Sequence, residues 1–211
     1  MIVETLSHHP RVVLVGAVRG LYSETFELID RLESSVPSAL GLAVSPEELE
    51  GLTTYFAHAE AETTVHLVET EQSEIQALTR WGEVRVPNPT HVRAIEWAHS
   101  RGVTTHALDP SDEGAAEMFR ANIGYVELVR RTLAERKLAR SPPEADSPDA
   151  FAERWDRQLA RGTGSRELAL DRDRYLVGEV RSLERSTTSL VVVVDRERFP
   201  QVRRLLADET S

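Results

Sequence analysis

The chain has 211 residues, 40% of them apolar, which suits one domain with an ordinary hydrophobic core. It has no apolar run of ~18 residues, and Met1 to Pro10 carries Glu4 without a basic flank and long apolar core, so neither a membrane span nor a signal peptide is expected. The net charge of −10 argues against a general nucleic-acid binder, and the absence of cysteine removes disulfides and thiolate metal sites and fits a reducing, cytoplasmic compartment. Of 25 basic side chains only Lys137 is a lysine; the others are arginines. Codon bias in a high-GC genome and a salt-adapted, haloarchaeal proteome both account for this preference, and both stay open.

In chain order, the first clear element is the strand Val12 to Val15, which ends at Gly16. An apolar run closed by glycine is what a strand buried on both faces of a parallel sheet requires. A helix follows over about Ser23 to Ser34, with Phe26, Leu28, Ile29 and Leu32 as its apolar stripe. Ala39 to Val44 reads as a second buried strand. Ser45-Pro46-Glu47-Glu48 then starts a helix running toward His58, with a capping serine, proline at the first helical position and a glutamate completing a capping box. The β-α-β-α order marks an α/β domain.

Between residues 62 and 87 the pattern is weak. Thr64 to Val68 alternates like a strand, Glu71 to Trp81 is helical in pattern, and Val84 to Val86 is extended. The pattern returns with a helix from Pro89 to Arg101, stopped by Gly102, and a strand over Val103 to Leu108. One long helix is predicted over about Asp112 to Ala139, with Gly124 as a kink or close contact. Arg140 to Asp149 reads as a proline-rich loop, Ser147 to Leu159 as a helix broken at Gly162 to Ser165, and Arg166 to Arg185 as a further helix. The strand Leu190 to Val194 and a helix over Pro200 to Asp208 complete the chain. The expected fold is α/β, with a central mostly parallel sheet, helices on both faces and a helical insertion over about 112–162 within a single domain 1–211.

Ligand crevices in such sheets open beyond the carboxyl ends of the strands. Arg19 follows the first buried strand, and Asp195, Glu197 and Arg198 follow the last. Arg19 and Arg198, joined by Arg172, form a candidate site for a small anion or an acidic peptide. The alternative is that these arginines pair internally with Asp109, Asp195 or Glu197. The histidines give no ligand motif: His8-His9 precedes the first strand, His91 and His99 are eight apart on one helix, and His66 and His106 stand singly. Gly162-Thr163-Gly164-Ser165 follows no strand and reads as a helix-breaking loop, not a phosphate cradle. Arg130, Arg131, Arg136 and Arg140 read as a solvated, salt-bridged face beside Glu127 and Glu135.

Several of these stretches resemble motifs of the TraB family, whose relatives include the Tiki proteases and, more distantly, ChaN-like and erythromycin-esterase-like proteins. Val15-Gly16-Ala17-Val18-Arg19-Gly20 is similar to its Gly-x-x-His strand end, with Arg19 at the histidine position. Pro37 to Val44 resembles its strand ending in glutamate, with Ala43 at that position. Thr90 to Asp109 resembles its helix, turn and strand ending in Asp-Arg, with Pro110 replacing the arginine. Arg172, Asp173 and Tyr175 match its E-R-D-x-Y-M helix, and Arg198 stands at the histidine of its final Gly-x-Gly-His. The resemblance implies a Tiki-like metal-dependent peptidase ancestry in which the His, Glu and His ligands are replaced by Arg19, Ala43 and Arg198. Arginine keeps its proton and is no substitute ligand. The implied protein is a non-catalytic, divergent relative with no metal and no cofactor, using Arg19, Arg198, Arg172, Asp109 and Tyr175 to bind an anionic ligand or partner. Two other expectations compete: a hydrolase with a site rebuilt from Asp109, Asp195 and Glu197, and a structural homodimer with an apolar patch on the insertion.

Overall fold

A computed structural model describes residues 1–7, 9, 11–57 and 69–208. The sheet is built from β1 (Ile2–Thr5), β2 (Val12–Ala17), β3 (Ala39–Leu42), β4 (Thr104–Ala107) and β5 (Leu190–Asp195). Its order is β1-β2-β5-β3-β4. The three pairings from β2 to β4 run parallel, and β1 joins the edge antiparallel to β2. The fold is therefore α/β with a mostly parallel sheet.

β5 is buried at every position, and its alternating side chains serve two cores. Val192 and Val194, with Leu14 of β2, face α8 (Thr163–Ser186) and α9 (Phe199–Asp208) through Leu176, Val177, Val180, Phe199, Val202 and Leu206. Val191 and Val193 face the other way. They meet Leu28 and Leu32 of α1 (Glu24–Ser35), Leu52 of α2 (Pro46–Ala57) and Ala94, Ile95 and Ala98 of α4 (Pro89–Arg101). Helices thus cover both faces.

A third cluster stands beyond the carboxyl end of β2. Val18 and Leu21 of the loop meet Leu78 of α3 (Glu69–Leu78), Leu138 of α6 (Tyr125–Arg140) and Phe151 and Trp155 of α7 (Pro148–Leu159). The expected insertion corresponds to α5 (Asp112–Asn122), α6 and α7. Among the described residues no helix is long and apolar enough to cross a membrane.

Four expectations need correction. The strand β1 was not legible as an element. The predicted long helix is two helices, because Ile123 turns extended (φ −104°, ψ 99°) before α6 starts after Gly124. Phe26 lies outside the buried stripe of α1, 62% exposed and edge-on to Tyr22, while Leu28, Leu32 and Thr25 face inward. Gly162 to Ser165 is not a free loop but the start of α8. The Glu127 carboxylate accepts the Ser165 backbone N–H (3.2 Å) and hydroxyl (2.9 Å), capping that helix from α6. A Cβ on Gly162 would collide with that carboxylate, and one on Gly164 would meet the Asn122 carbonyl at 2.3 Å. The predicted strand Thr64 to Val68 lies outside the described residues.

Candidate functional site

The pairing of β2 with β5 sets Ala17 beside Asp195, so the next residues of both strands enter one crevice. Arg19 reaches back across it. Its Nη2 donates to Asp195 Oδ2 at 2.5 Å, with the Arg19 side chain 57% exposed and the Asp195 side chain 4% exposed. Burial pushes the Asp195 carboxyl up, but Arg19 outweighs it and holds the group at about 2. The other oxygen, Asp195 Oδ1, is buried and accepts no hydrogen bond among the described residues.

The loop carrying Arg19 is held from three sides. The Val18 N–H donates to Glu24 Oε2 at 2.7 Å. Gly20 adopts φ +82°, a left-handed conformation that favours glycine, and its carbonyl accepts the Arg85 N–H at 2.9 Å. Asn88 Oδ1 accepts from Gly20 N–H (3.4 Å) and from the Thr90 N–H (3.3 Å), tying the loop to the start of α4.

Asp109 follows β4, its N–H donating to the Val44 carbonyl at 3.0 Å. Arg198 grips it with Nη1 to Oδ2 and Nη2 to Oδ1, both 2.9 Å, and its Nε donates to Asp173 Oδ1 of α8 at 2.8 Å. Arg172 adds Nη2 to Asp109 Oδ2 at 2.6 Å. Burial raises Asp109, yet Arg198 and then Arg172 prevail and hold its carboxyl below the usual range. Asp173 shifts upward because burial outweighs Arg198 there. The Arg198 guanidinium is raised: its burial is more than offset by Asp109 and Asp173. Arg196, buried at the β5 terminus, donates Nε to Asp149 Oδ1 (2.7 Å) of α7.

A cavity of about 250 Å³ opens at these strand ends. Arg19, Glu48, Glu74, Asn88, His91 and Asp195 give it polar groups; Ile75, Leu78, Val86 and Pro87 give it an apolar wall. A second, of about 510 Å³, shares Arg19, Glu74, Arg172 and Asp195 and continues past Asp156, Asp173, Glu197 and Arg198. Burial raises Glu74 to about 7, and burial together with the Asp195 charge raises Glu197 to about 8. Neither carboxylate forms an ion pair among the described residues. Burial lowers His91 to about 4, so the imidazole is neutral at pH 7.

The structure therefore brings Arg19, Arg172, Arg198 and Asp109 together and pairs all three arginines with carboxylates. Tyr175, the fifth expected residue, lines neither cavity and is 40% exposed. It is two residues beyond Asp173, about 200° around the helix, which turns it from the buried pair. Sequence reasoning missed Glu48, Glu74, Asn88 and Arg196, and set His91 aside. His9 pairs instead with Glu184 (2.6 Å), and His99 packs on Phe56. His8 and His66 lie outside the described residues.

A metal of the kind the TraB resemblance implies does not fit these groups. At the positions that the resemblance assigns to the ligands stand Arg19 and Arg198, which are cations, and Ala43, which has no donor. Among the described residues no three His, Asp or Glu side chains converge as a metal site. No family model matches the chain, and no curated protein matches it in sequence.

Proposed function

We propose that this chain is a divergent TraB-like protein that does not perform metal-dependent hydrolysis and instead binds a ligand with an anionic group at the strand ends. The observation that carries the reading is the Arg198 fork on Asp109, extended to Asp173, at the position where the resemblance puts a histidine ligand. A guanidinium between two buried carboxylates, with Arg172 as a second cation on Asp109, offsets their charge and takes the place of a metal cation. Arg19 and Arg172 support the ligand half of the reading. Each gives one Nη2 to a carboxylate, and both side chains are about half-exposed at the mouth, 57% and 45%. Their remaining N–H donors suit a carboxylate or phosphate oxygen.

Elemental analysis of the purified protein, followed by thermal-shift titration with divalent metals and with small carboxylates or phosphate, tests this. The expected result is no bound metal, no stabilisation by metals and a clear shift with an anion that Arg19→Gln abolishes. A stoichiometric metal would overturn the proposal in favour of a rebuilt hydrolase.

A further inference from the structure

One oxygen of Asp195 is buried in the crevice without a hydrogen-bond donor among the described residues. Its partner oxygen is bound by Arg19, while Oδ1 has no donor among the described residues although the side chain is only 4% exposed. A buried carboxylate oxygen without a hydrogen bond is costly, so such an oxygen marks a place where a donor belongs. Asp195 cannot swing away easily: its backbone is the last rung of the central strand, paired with Ala17. Glu74, from α3, lines the same two cavities and has no ion-pair partner among the described residues. Burial raises its carboxyl to about 7 despite the attraction of Arg19, so a cation beside it would favour the ionised form. A divalent metal is not the complement, since among the described residues no third ligating side chain converges. An N–H-bearing organic cation is: it brings directional donors to Oδ1 and charge to Glu74. Ile75, Leu78, Val86 and Pro87 give a short alkyl stem an apolar wall within about 250 Å³.

We propose that the ligand is a small zwitterion of the amino-acid type, its ammonium held by Asp195 Oδ1 and Glu74 and its carboxylate by Arg19 and Arg172. This rests on the anion-binding reading above and adds the opposite charge to it. Two carboxylates then face the ammonium and two guanidiniums face the carboxylate, so each charge desolvated by binding meets a partner.

The test is titration calorimetry with three probes: 4-aminobutyrate, butyrate and butylamine. The proposal expects 4-aminobutyrate to bind more tightly than either half-molecule by about tenfold or more. It expects Asp195→Asn to remove that advantage while leaving butyrate binding in place. Glu74→Gln, which breaks no ion pair among the described residues, gives the same reading if Asp195→Asn fails to fold. Butyrate binding as tightly as 4-aminobutyrate, in wild type and variants alike, overturns the zwitterion and leaves the anion reading standing. Butylamine binding with no gain from a carboxylate overturns the anion reading and the zwitterion with it. No binding by any probe overturns both.

Discussion

Arg198 holds Asp109 in a two-pronged contact, Nη1 to Oδ2 and Nη2 to Oδ1 at 2.9 Å each, although the two residues are 89 positions apart. The contact joins the end of β5 to the end of β4 across β3, which lies between them in the sheet. With Nε on Asp173 it also fastens α8 to the strand ends. All three side chains are at most 13% exposed. Removing the guanidinium leaves two buried carboxylates without their main counter-charge. Arg198→Met is expected to destabilise the fold by about 3–5 kcal/mol in urea unfolding. Arg198→Lys should recover only part, because an ammonium cannot make the planar fork. A loss below about 1 kcal/mol for Arg198→Met would show that the contact contributes little.

The titration of the crevice predicts a particular pH dependence. Glu197 and Glu74 titrate near 8 and 7 in the folded protein, both raised first by burial, from ordinary values near 4.5. The folded state holds their protons where the unfolded chain has released them, so their contribution is complete below pH 4.5 and is lost as pH rises toward 8. His91 acts oppositely: its folded value of about 4 makes stability rise with pH between about 4 and 6.5. Asp195, held at about 2 by Arg19, contributes above about pH 4 and loses that contribution as pH falls toward 2. Of these four groups, the two glutamates are the ones that still act above pH 6.5. Stability should therefore fall from pH 6.5 to 8, and Glu197→Gln should flatten that slope in urea melts taken across the range. An unchanged slope would remove Glu197 as its source.

Two glycines permit close contacts on the sheet, Gly16 with α9 and Gly41 with Leu108 just after β4. A Cβ on Gly16 would stand 2.9 Å from Phe199 Cβ, and one on Gly41 would stand 2.7 Å from Leu108 Cδ1. Gly16→Ala should cost about 1–3 kcal/mol, because the clash at Phe199 involves a Cβ fixed to the helix backbone. Gly41→Ala should cost less, since Leu108 meets it with the tip of a flexible side chain. Paired thermal melts of the two variants check the order.

The cap that Glu127 supplies to α8 should be separable from the crevice. Glu127→Ala removes acceptors for the Ser165 N–H and hydroxyl and is expected to cost about 0.5–2 kcal/mol. Ligand titrations of that variant should match wild type, because Glu127 lines neither cavity.

The central strands were legible because burial on both faces writes a continuous apolar run, as in Leu190 to Val194. Helix α4 was legible because Pro89 and Gly102 mark its two ends. β1 was not, since a four-residue edge strand containing Glu4 and Thr5 has no core pattern of its own. The break between α5 and α6 was hidden because Ile123 continues the apolar spacing of a helix while its backbone leaves it. At the site, Arg19, Asp109, Asp195 and Arg198 were legible as residues just past strand ends. Their pairing was open, because sequence does not say which carboxylate each guanidinium reaches. Glu74 and Glu48 were hidden for a different reason: they come from α3 and α2, and the weak pattern between residues 62 and 87 gives no register for α3 over the crevice.

The most direct test of the account is the metal content of the protein purified without chelators and dialysed against zinc, manganese or calcium. The account predicts far less than one ion per chain in every case, because Arg19, Arg172 and Arg198 already supply the positive charge that Asp195 and Asp109 meet. One ion retained per chain, and lost on Asp109→Asn or Asp195→Asn, would contradict it.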